Sequence, residues 1–403
     1  LFYANIILSV IFVGDFVEEN IYLDNNATTQ VAPEVIEAMR PYFSEKWGNP
    51  SSIHRFGGKV SKDIAESREI IADFLGCKPS EIFFTASGSE GNNTALKGFC
   101  AKRGYEKSKI VTTVVEHPAV LETERYLATK GVFTREVGVN AKGIISIDEI
   151  CEGVNENTLV SAMWANNETG VIFPIEKIAA RVKSSGALIH TDAVQAVGKI
   201  NIDLSKVPVD MLCFSGHKIH APKGIGVMFV RQGVKIDSLI HGGHQENGFR
   251  AGTENVPYIV GLAKACELAK AGIGYENNTI RKLRDKLQDN LLAKCKGAVL
   301  NGDKETRLPN TLNISFEFVE GEAILLYLDE NGIAASSGSA CTTGSLEPSH
   351  VMRAMGLPYV LAHSSIRFSI SRYNTESDID KVIEVLPPII DKLREISPFT
   401  DGK

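Results

Sequence analysis

From about residue 60 to residue 230 the chain alternates short apolar runs with longer amphipathic stretches, and this alternation constrains the fold more than any other feature. The apolar runs are Glu81–Thr85, Ile110–Val115, Leu159–Trp164, Leu188–Thr191, Met211–Ser215 and Gly226–Val230. Each is short for a helix and reads as a strand buried on both faces. Between them, Ser61–Cys77 carries Ile64, Ala65, Ile70, Ile71, Phe74 and Leu75 at helical spacing, and Ala119–Lys130 reads as a helix stopped by Gly131. Strand and helix in regular alternation give an α/β fold with a mostly parallel sheet covered on both faces.

Beyond residue 275 the pattern changes. Ile280, Leu283, Leu287 and Leu291 form one stripe on a charged helix, which begins a second, smaller unit. Asn310–Phe318, Glu320–Asn331 and Ser365–Ser371 give that C-terminal unit an α+β character. Ser377–Ile396 reads as a closing helix interrupted at Pro387 and Pro388. A chain of 403 residues, 43% hydrophobic, exceeds one ordinary domain and can bury more than one core. Residues 1–20 read as an N-terminal extension, with a packed N-terminal segment as the second reading; no function is assigned to them.

Charge and cysteine content narrow the function. A net charge of -6 argues against a nucleic-acid partner, which calls for a basic patch. The apolar run Leu1–Val13 is too short to span a bilayer, so no membrane partner is expected. The seven cysteines (77, 100, 151, 213, 266, 295 and 341) are scattered without a CxxC pair. That argues against structural zinc and suits reduced thiols in a reducing compartment, the cytoplasm.

In open parallel sheets ligands bind beyond the carboxyl ends of the strands, so the residues just past each run matter most. After Thr85 come Ser87-Gly88-Ser89-Glu90; after Val115, Glu116-His117; after Trp164, Asn166-Asn167-Glu168. Thr191 leads to Asp192 and Gln195, and Ser215 to Gly216-His217-Lys218. These strand ends should converge on one edge. The Ser87-Gly88-Ser89 loop suits a phosphate at a helix N-terminus, although a plain N-cap turn has the same composition. It matches neither GxxxxGK[ST] nor GxGxxG, which counts against a nucleoside triphosphatase or a dinucleotide enzyme. Lys218 is placed to form a Schiff base with a carbonyl cofactor, with Lys223 in the same loop as a rival and a surface lysine as the bland alternative. Asp192 would pair a pyridinium nitrogen, or it is a turn aspartate. His217-x-x-His220 and His241-x-x-His244 lack a completing ligand, so no metal is expected. Cys341 lies among small polar residues rather than apolar ones, which suits an accessible thiol, but nucleophilic use of it needs a nearby cation or base. Arg367 alternates with apolar residues, either as a clamp for a substrate carboxylate or as a structural ion pair.

With these residues in view, the chain resembles the pyridoxal phosphate (PLP)-dependent cysteine desulfurases of the NifS/IscS type, within the class-V aminotransferase group, from Ile21 to Ser397. The resemblance rests on Tyr22-Leu-Asp-Asn-Asn-Ala-Thr-Thr29, Glu116-His-Pro-Ala-Val120, Trp164-Ala-Asn-Asn-Glu-Thr-Gly170, Thr191-Asp-Ala-Val-Gln195, Ser215-Gly-His-Lys218, Arg250-Ala-Gly-Thr253 and Ser336-Ser-Gly-Ser-Ala-Cys341. The Cys341 segment separates desulfurases from plain aminotransferases. His220-Ala-Pro-Lys-Gly224 and Gly242-Gly-His-Gln-Glu246, with Trp164-Ala-Asn-Asn167, are closer to the nitrogen-fixation branch than to the housekeeping branch.

The resemblance implies a fold type I PLP-dependent transferase. It would have a large PLP-binding domain at 28–275, and a small domain from 21–27 and 276–403 carrying the catalytic cysteine. It implies Lys218 as the residue that holds the cofactor, in preference to Lys223. Gly88, Ser89, Ser215 and His217 would hold the phosphate, with Thr253 reaching in from the other subunit of a homodimer. His117 would stack on the ring, Asp192 would pair its nitrogen, and Gln195 and Asn167 would contact its hydroxyl side. Arg367, with Asn167, would bind the substrate. L-cysteine would become L-alanine with a persulfide on Cys341, and an iron–sulfur scaffold protein would accept the sulfur. Selenocysteine lyase or aminotransferase activity on the same fold is the alternative. Ser89 stands where many relatives carry Thr, with the hydroxyl retained, and residues 1–20 have no counterpart in the family.

Overall fold

The computed structural model describes residues 20–337 and 347–397. After the two-residue β1 (Ile21–Tyr22), a seven-stranded sheet is built from β2 (Ile82–Thr85), β3 (Lys109–Thr113), β4 (Phe133–Val137), β5 (Thr158–Ser161), β6 (Leu188–Asp192), β7 (Met211–Ser215) and β8 (Gly226–Val230). Its order is β2-β8-β7-β6-β5-β3-β4. Only β8 runs against its neighbours; the other pairings are parallel. Every apolar run read from the sequence overlaps a strand. β4 has no such run to mark it, because Phe-Thr-Arg-Glu-Val lies at the sheet edge and is largely exposed.

The two faces of the sheet are sorted residue by residue. Val111, Val160, Leu212, Phe214, Val227 and Phe229 enter the larger core, packed with the helices Arg55–Leu75, Ile175–Ser184 and Val256–Tyr275. Their strand neighbours Ile110, Leu159, Met211, Cys213 and Met228 enter a second core with Leu96, Phe99 and Val120 from the helices Gly88–Arg103 and Pro118–Ala128. Period-two alternation with both faces apolar is why these strands read as unbroken hydrophobic runs.

The C-terminal unit has its own core. β9 (Ala298–Leu300), β10 (Thr311–Phe316) and β12 (Ser365–Ser369) form an antiparallel three-stranded sheet in the order β12-β10-β9, and β11 (Ile333–Ala334) pairs in parallel with β1. Leu23 joins Leu287, Leu291, Ile314, Phe316, Phe368 and Ile390 in that core. The segment around β1 is thus packed against the C-terminal third of the chain. The helix Val256–Tyr275 runs through a π turn, Glu276–Ile280, into the helix Arg281–Lys294.

One expectation is overturned. The closing helix is continuous from Glu376 to Ile396, with Pro387 and Pro388 inside it. Two missing N–H donors do not break it, because Ile379, Val382, Ile383, Leu386, Ile389, Ile390 and Leu393 bury one apolar stripe along its full length.

Candidate active site

The loops beyond the carboxyl ends of β2, β3, β5, β6 and β7 enclose a cavity of about 420 Å³. That size falls within the usual range of small-molecule sites, about 300–1,000 Å³. Gly88, Ser89, His117, Asn167, Asp192, Gln195, Ser215, His217, Lys218 and Arg367 all line it. Thr253 is exposed and lies outside that lining. Cys341 lies outside the described residues. A larger cavity, about 500 Å³, faces Arg68, His244, Glu246 and Glu254, but Arg68 and Glu246 are locked to each other at 2.7 Å. The chemistry singles out the smaller one.

Each side chain is placed by its element. Ser87 caps the helix Gly88–Arg103 by accepting from Glu90 N at 3.1 Å, so the N-terminal amides of that helix open toward the cavity. A Cβ on Gly88 would stand 2.7 Å from Val194 Cγ2, so that helix start requires glycine. Asn92, one turn further along, donates to Asp192 Oδ2 at 2.6 Å, and Val194 N donates to Oδ1 at 2.9 Å. Both carboxylate oxygens are therefore fixed, and each keeps acceptor capacity.

His117 caps the next helix, its Nδ1 accepting from Ala119 N at 3.1 Å. That assigns the neutral ring's proton to Nε2. Burial holds its pKa below the ordinary value of 6.5. His217 is lowered further, to about 4, by burial and by the neighbouring Lys218 and Lys223, while its Nδ1 meets Thr28 Oγ1 at 3.2 Å. Both rings stay neutral at pH 7. Lys218 reaches Asn26 O at 2.5 Å and Ala27 O at 2.6 Å, whereas Lys223 is exposed. Arg367 lines the cavity, and the structure gives it the ion pair read as one alternative: its Nη2 pairs with Asp24 Oδ1 at 2.7 Å while Nη1 donates to Asn167 O at 3.0 Å.

Behind the lining sits Glu116, fully buried. Its Oε1 accepts from Thr113 Oγ1 at 2.8 Å and Met163 N at 2.9 Å, and its Oε2 has no partner among the described residues. Burial pushes its pKa up to about 8. The Asn166–Gly170 turn is held by Asn166 Oδ1, which accepts from Glu168 N and Thr169 N at 3.0 and 2.9 Å. Gly170 closes it at φ +76°, where a Cβ would meet Thr311 Cβ at 2.8 Å.

Two site residues carry no role in the sequence reading. Asn92 lies four positions after Gly88, a helical spacing that points both toward one face. Asn26 is a hub. Its carbonyl accepts from Lys218 and Gln195, and its Nδ2 donates to Asn167 O at 3.1 Å and Thr311 Oγ1 at 2.9 Å. Its partners lie far away in sequence, so no spacing signals it.

The residues present fit pyridoxal phosphate. A helix N-terminus with Ser89, Ser215 and a neutral His217 suits a phosphate dianion; a cavity amine suits an aldehyde; a pinned carboxylate suits a pyridinium nitrogen. Among the described residues no group of three or more His, Cys, Asp or Glu is close enough to hold a metal.

The aminotransferase class-V family model matches residues 21–382. A cysteine desulfurase of Trichormus azollae is 56% identical over 384 residues, covering 95% of this chain and 96% of that one. Cysteine desulfurase NifS of Azotobacter vinelandii is 50% identical, with the same coverage of both chains. Among solved structures, a NifS-like protein superposes with a TM-score of 0.87 at 41% identity, covering 93% of this chain and 100% of that one. A NifS-like protein from Rickettsia africae gives 0.83 at 33% identity, covering 93% of this chain and 100% of its own. The chain therefore belongs to the class-V aminotransferase family and, within it, to the PLP-dependent cysteine desulfurases of the NifS type.

Proposed function

We propose that the protein converts L-cysteine to L-alanine and keeps the sulfur as a persulfide on Cys341, supplying iron–sulfur cluster assembly through an iron–sulfur scaffold protein as the acceptor. The observation that carries this reading is one cavity lined by an amine (Lys218), a doubly pinned carboxylate (Asp192) and a guanidinium (Arg367). Bound there, pyridoxal phosphate supplies an electron sink for the charge left when Cα loses its proton.

The chain's own residues do the rest. Gly88, Ser89, Ser215 and His217 seat the phosphate, and His117 packs on the ring. Asp192 holds the ring nitrogen in its protonated form, and Gln195 and Asn167 contact the hydroxyl side. Lys218 holds the cofactor and then carries the Cα proton. Arg367, oriented by Asp24 and Asn167 O, binds the substrate carboxylate. Cys341 attacks the substrate sulfur: the C–S bond breaks, an S–S bond forms, and alanine leaves, so cysteine plus thiol becomes alanine plus persulfide. The other six cysteines are poor candidates for that attack. Burial raises the pKa of each, to about 12 for Cys77 and Cys100 and about 11 for Cys295.

The same reading divides the chain into a large domain at 28–275 and a small one from 21–27 with 276–403; the separate C-terminal core supports it. It makes the protein a homodimer, in which the exposed Thr253 serves the partner's cofactor. Free thiols at six positions suit a cytoplasmic site of action. Among the described residues no helix is long and apolar enough to cross a membrane.

The test is alanine released from L-cysteine by PLP-loaded protein with a thiol reductant present. Alanine and sulfide should appear in equal amounts. Cys341→Ser should retain the cofactor's absorbance and lose alanine formation by at least about 100-fold, well within the loss seen when a catalytic nucleophile is removed. Full activity in that variant would refute the persulfide role and favour selenocysteine lyase or aminotransferase chemistry.

A further inference from the structure

Ser336 and Ser349 flank residues 338–346, which include Cys341; Ser349 is bonded to the Asn166–Gly170 turn directly and Ser336 is linked to it through Arg367. On one side, Ser336 exchanges main-chain hydrogen bonds with Arg367 (Arg367 N to Ser336 O 2.6 Å, Ser336 N to Arg367 O 3.2 Å). Arg367 in turn donates to Asn167 O at 3.0 Å. On the other side, Ser349 Oγ donates to Glu168 Oε2 at 2.5 Å and accepts from Val351 N and Met352 N at 3.1 and 3.3 Å. His350 adds a contact from its Nε2 to Glu116 O at 3.0 Å. Asn167 and Glu168 are adjacent, and Asn167 lines the cavity.

The Asn166–Gly170 turn is itself immobilised. Asn166 holds Glu168 N and Thr169 N, and Asn313 Nδ2 donates to Glu168 O at 3.3 Å. Glu168 is 2% exposed, so its carboxyl group serves the interior rather than solvent. Burial raises its pKa, and the hydroxyl of Ser349 opposes that shift. A buried carboxyl bonded to a serine hydroxyl, at the root of the segment that bears the nucleophile, is poorly explained by stability alone, since burying such a group is costly.

We propose that Glu168 is a positioning residue for sulfur transfer: through Ser349 it fixes the C-terminal root of the Cys341 segment beside the cavity residue Asn167. The chain from Cys341 to Ser349 can reach no further than about 3.3–3.6 Å per residue. Fixing Ser349 therefore limits how far the thiol can lie from the cavity and raises its effective concentration at the substrate sulfur. The role acts after substrate binding and Cα proton removal, neither of which involves the thiol. This inference rests on Cys341 being the nucleophile.

The test separates the two stages in PLP-loaded protein. Deuterium exchange at Cα of L-alanine in D2O reports proton removal, and alanine formation from L-cysteine reports sulfur transfer. Glu168→Ala and Ser349→Ala should each lower kcat for alanine formation about ten-fold or more, the scale of leaving a buried polar group without its hydrogen-bond partner. KM and Cα exchange should stay within about two-fold of the parent. The double variant should be no slower than the slower single one, because both act through one bond. Ser349→Thr, which keeps the hydroxyl, should restore most of the rate. In cofactor-free Ser349→Ala and Glu168→Ala, amide hydrogen exchange across residues 347–352 should speed up. Unchanged alanine formation in both alanine variants overturns the proposal, and so does a parallel fall of Cα exchange. If either alanine variant fails to fold, the other with Ser349→Thr decides the matter. Cys341→Ser run alongside tells apart the two failures: persistent alanine in that variant refutes the nucleophile itself, not its anchoring.

Discussion

Glu116 shows how one residue can oppose the usual pH behaviour of a carboxylate. Buried, with one oxygen unpartnered among the described residues, it has a pKa pushed up to about 8 from an ordinary 4.5, so the folded state keeps its proton where the unfolded chain has lost it. Between about pH 4.5 and 8 the folded state binds more protons, and stability falls as pH rises. Glu116→Gln removes that dependence. The melting temperature of the variant relative to the parent should increase steadily from pH 5 to pH 8, and a difference independent of pH would show the carboxyl to be ionised throughout. In the sequence, the motif Glu116-His-Pro-Ala-Val120 points to its histidine. The glutamate is not legible there as a buried acid, because its environment comes from Thr113, Met163 and the sheet.

At the scale of elements, the strand ends were the legible part. Parallel strands order their carboxyl ends on one edge, so the residues just past each apolar run bring Lys218, Asp192, His117 and Asn167 together. The tethers made by Asn26 and Asp24 cannot be found that way, since they come from a segment outside the alternation. The closing helix carries the one wrong expectation, and the reason is measurable. Pro387 and Pro388 leave the carbonyls of Ile383 and Glu384 without helical donors, and the buried stripe holds that turn. Pro388 is exposed. Pro388→Ala should restore one donor and stabilise the protein by about 1–2 kcal/mol, after allowance for the greater freedom of the unfolded chain. A chemical-denaturation midpoint unmoved or lowered in this variant would mean that the helix is curved to suit the ring.

For the whole molecule, acid is the expected weakness. Burial lowers His190 and His220 to about 3, and burial with nearby lysines lowers His217 to about 4. All three have an ordinary value of 6.5, so as pH falls below that point the unfolded chain takes up protons that the folded state refuses. Stability drops progressively toward about pH 4, opposite in sign to the Glu116 effect. His190 is wholly buried, with Nδ1 against Ser161 Oγ at 2.9 Å. His190→Asn should lose less melting temperature than the parent between about pH 6.5 and 4.5, the upper part of the window between the ordinary value of 6.5 and the lowered value of about 3; an equal loss would assign the acid sensitivity to the other groups.

The packing of Leu23 and Asn26 against the C-terminal sheet also sets a timetable for synthesis. Asn26 N donates to Ser369 Oγ at 2.9 Å, and Ser369 N donates to Leu23 O at 2.7 Å. The segment whose carbonyls meet Lys218 therefore lacks these two anchors until Ser369 has left the ribosome. Nascent chains stalled before β10 should hold the large sheet without retaining cofactor, and those extended past the closing helix should retain it. In this protein, Asn26 waits for a partner translated 343 residues after it.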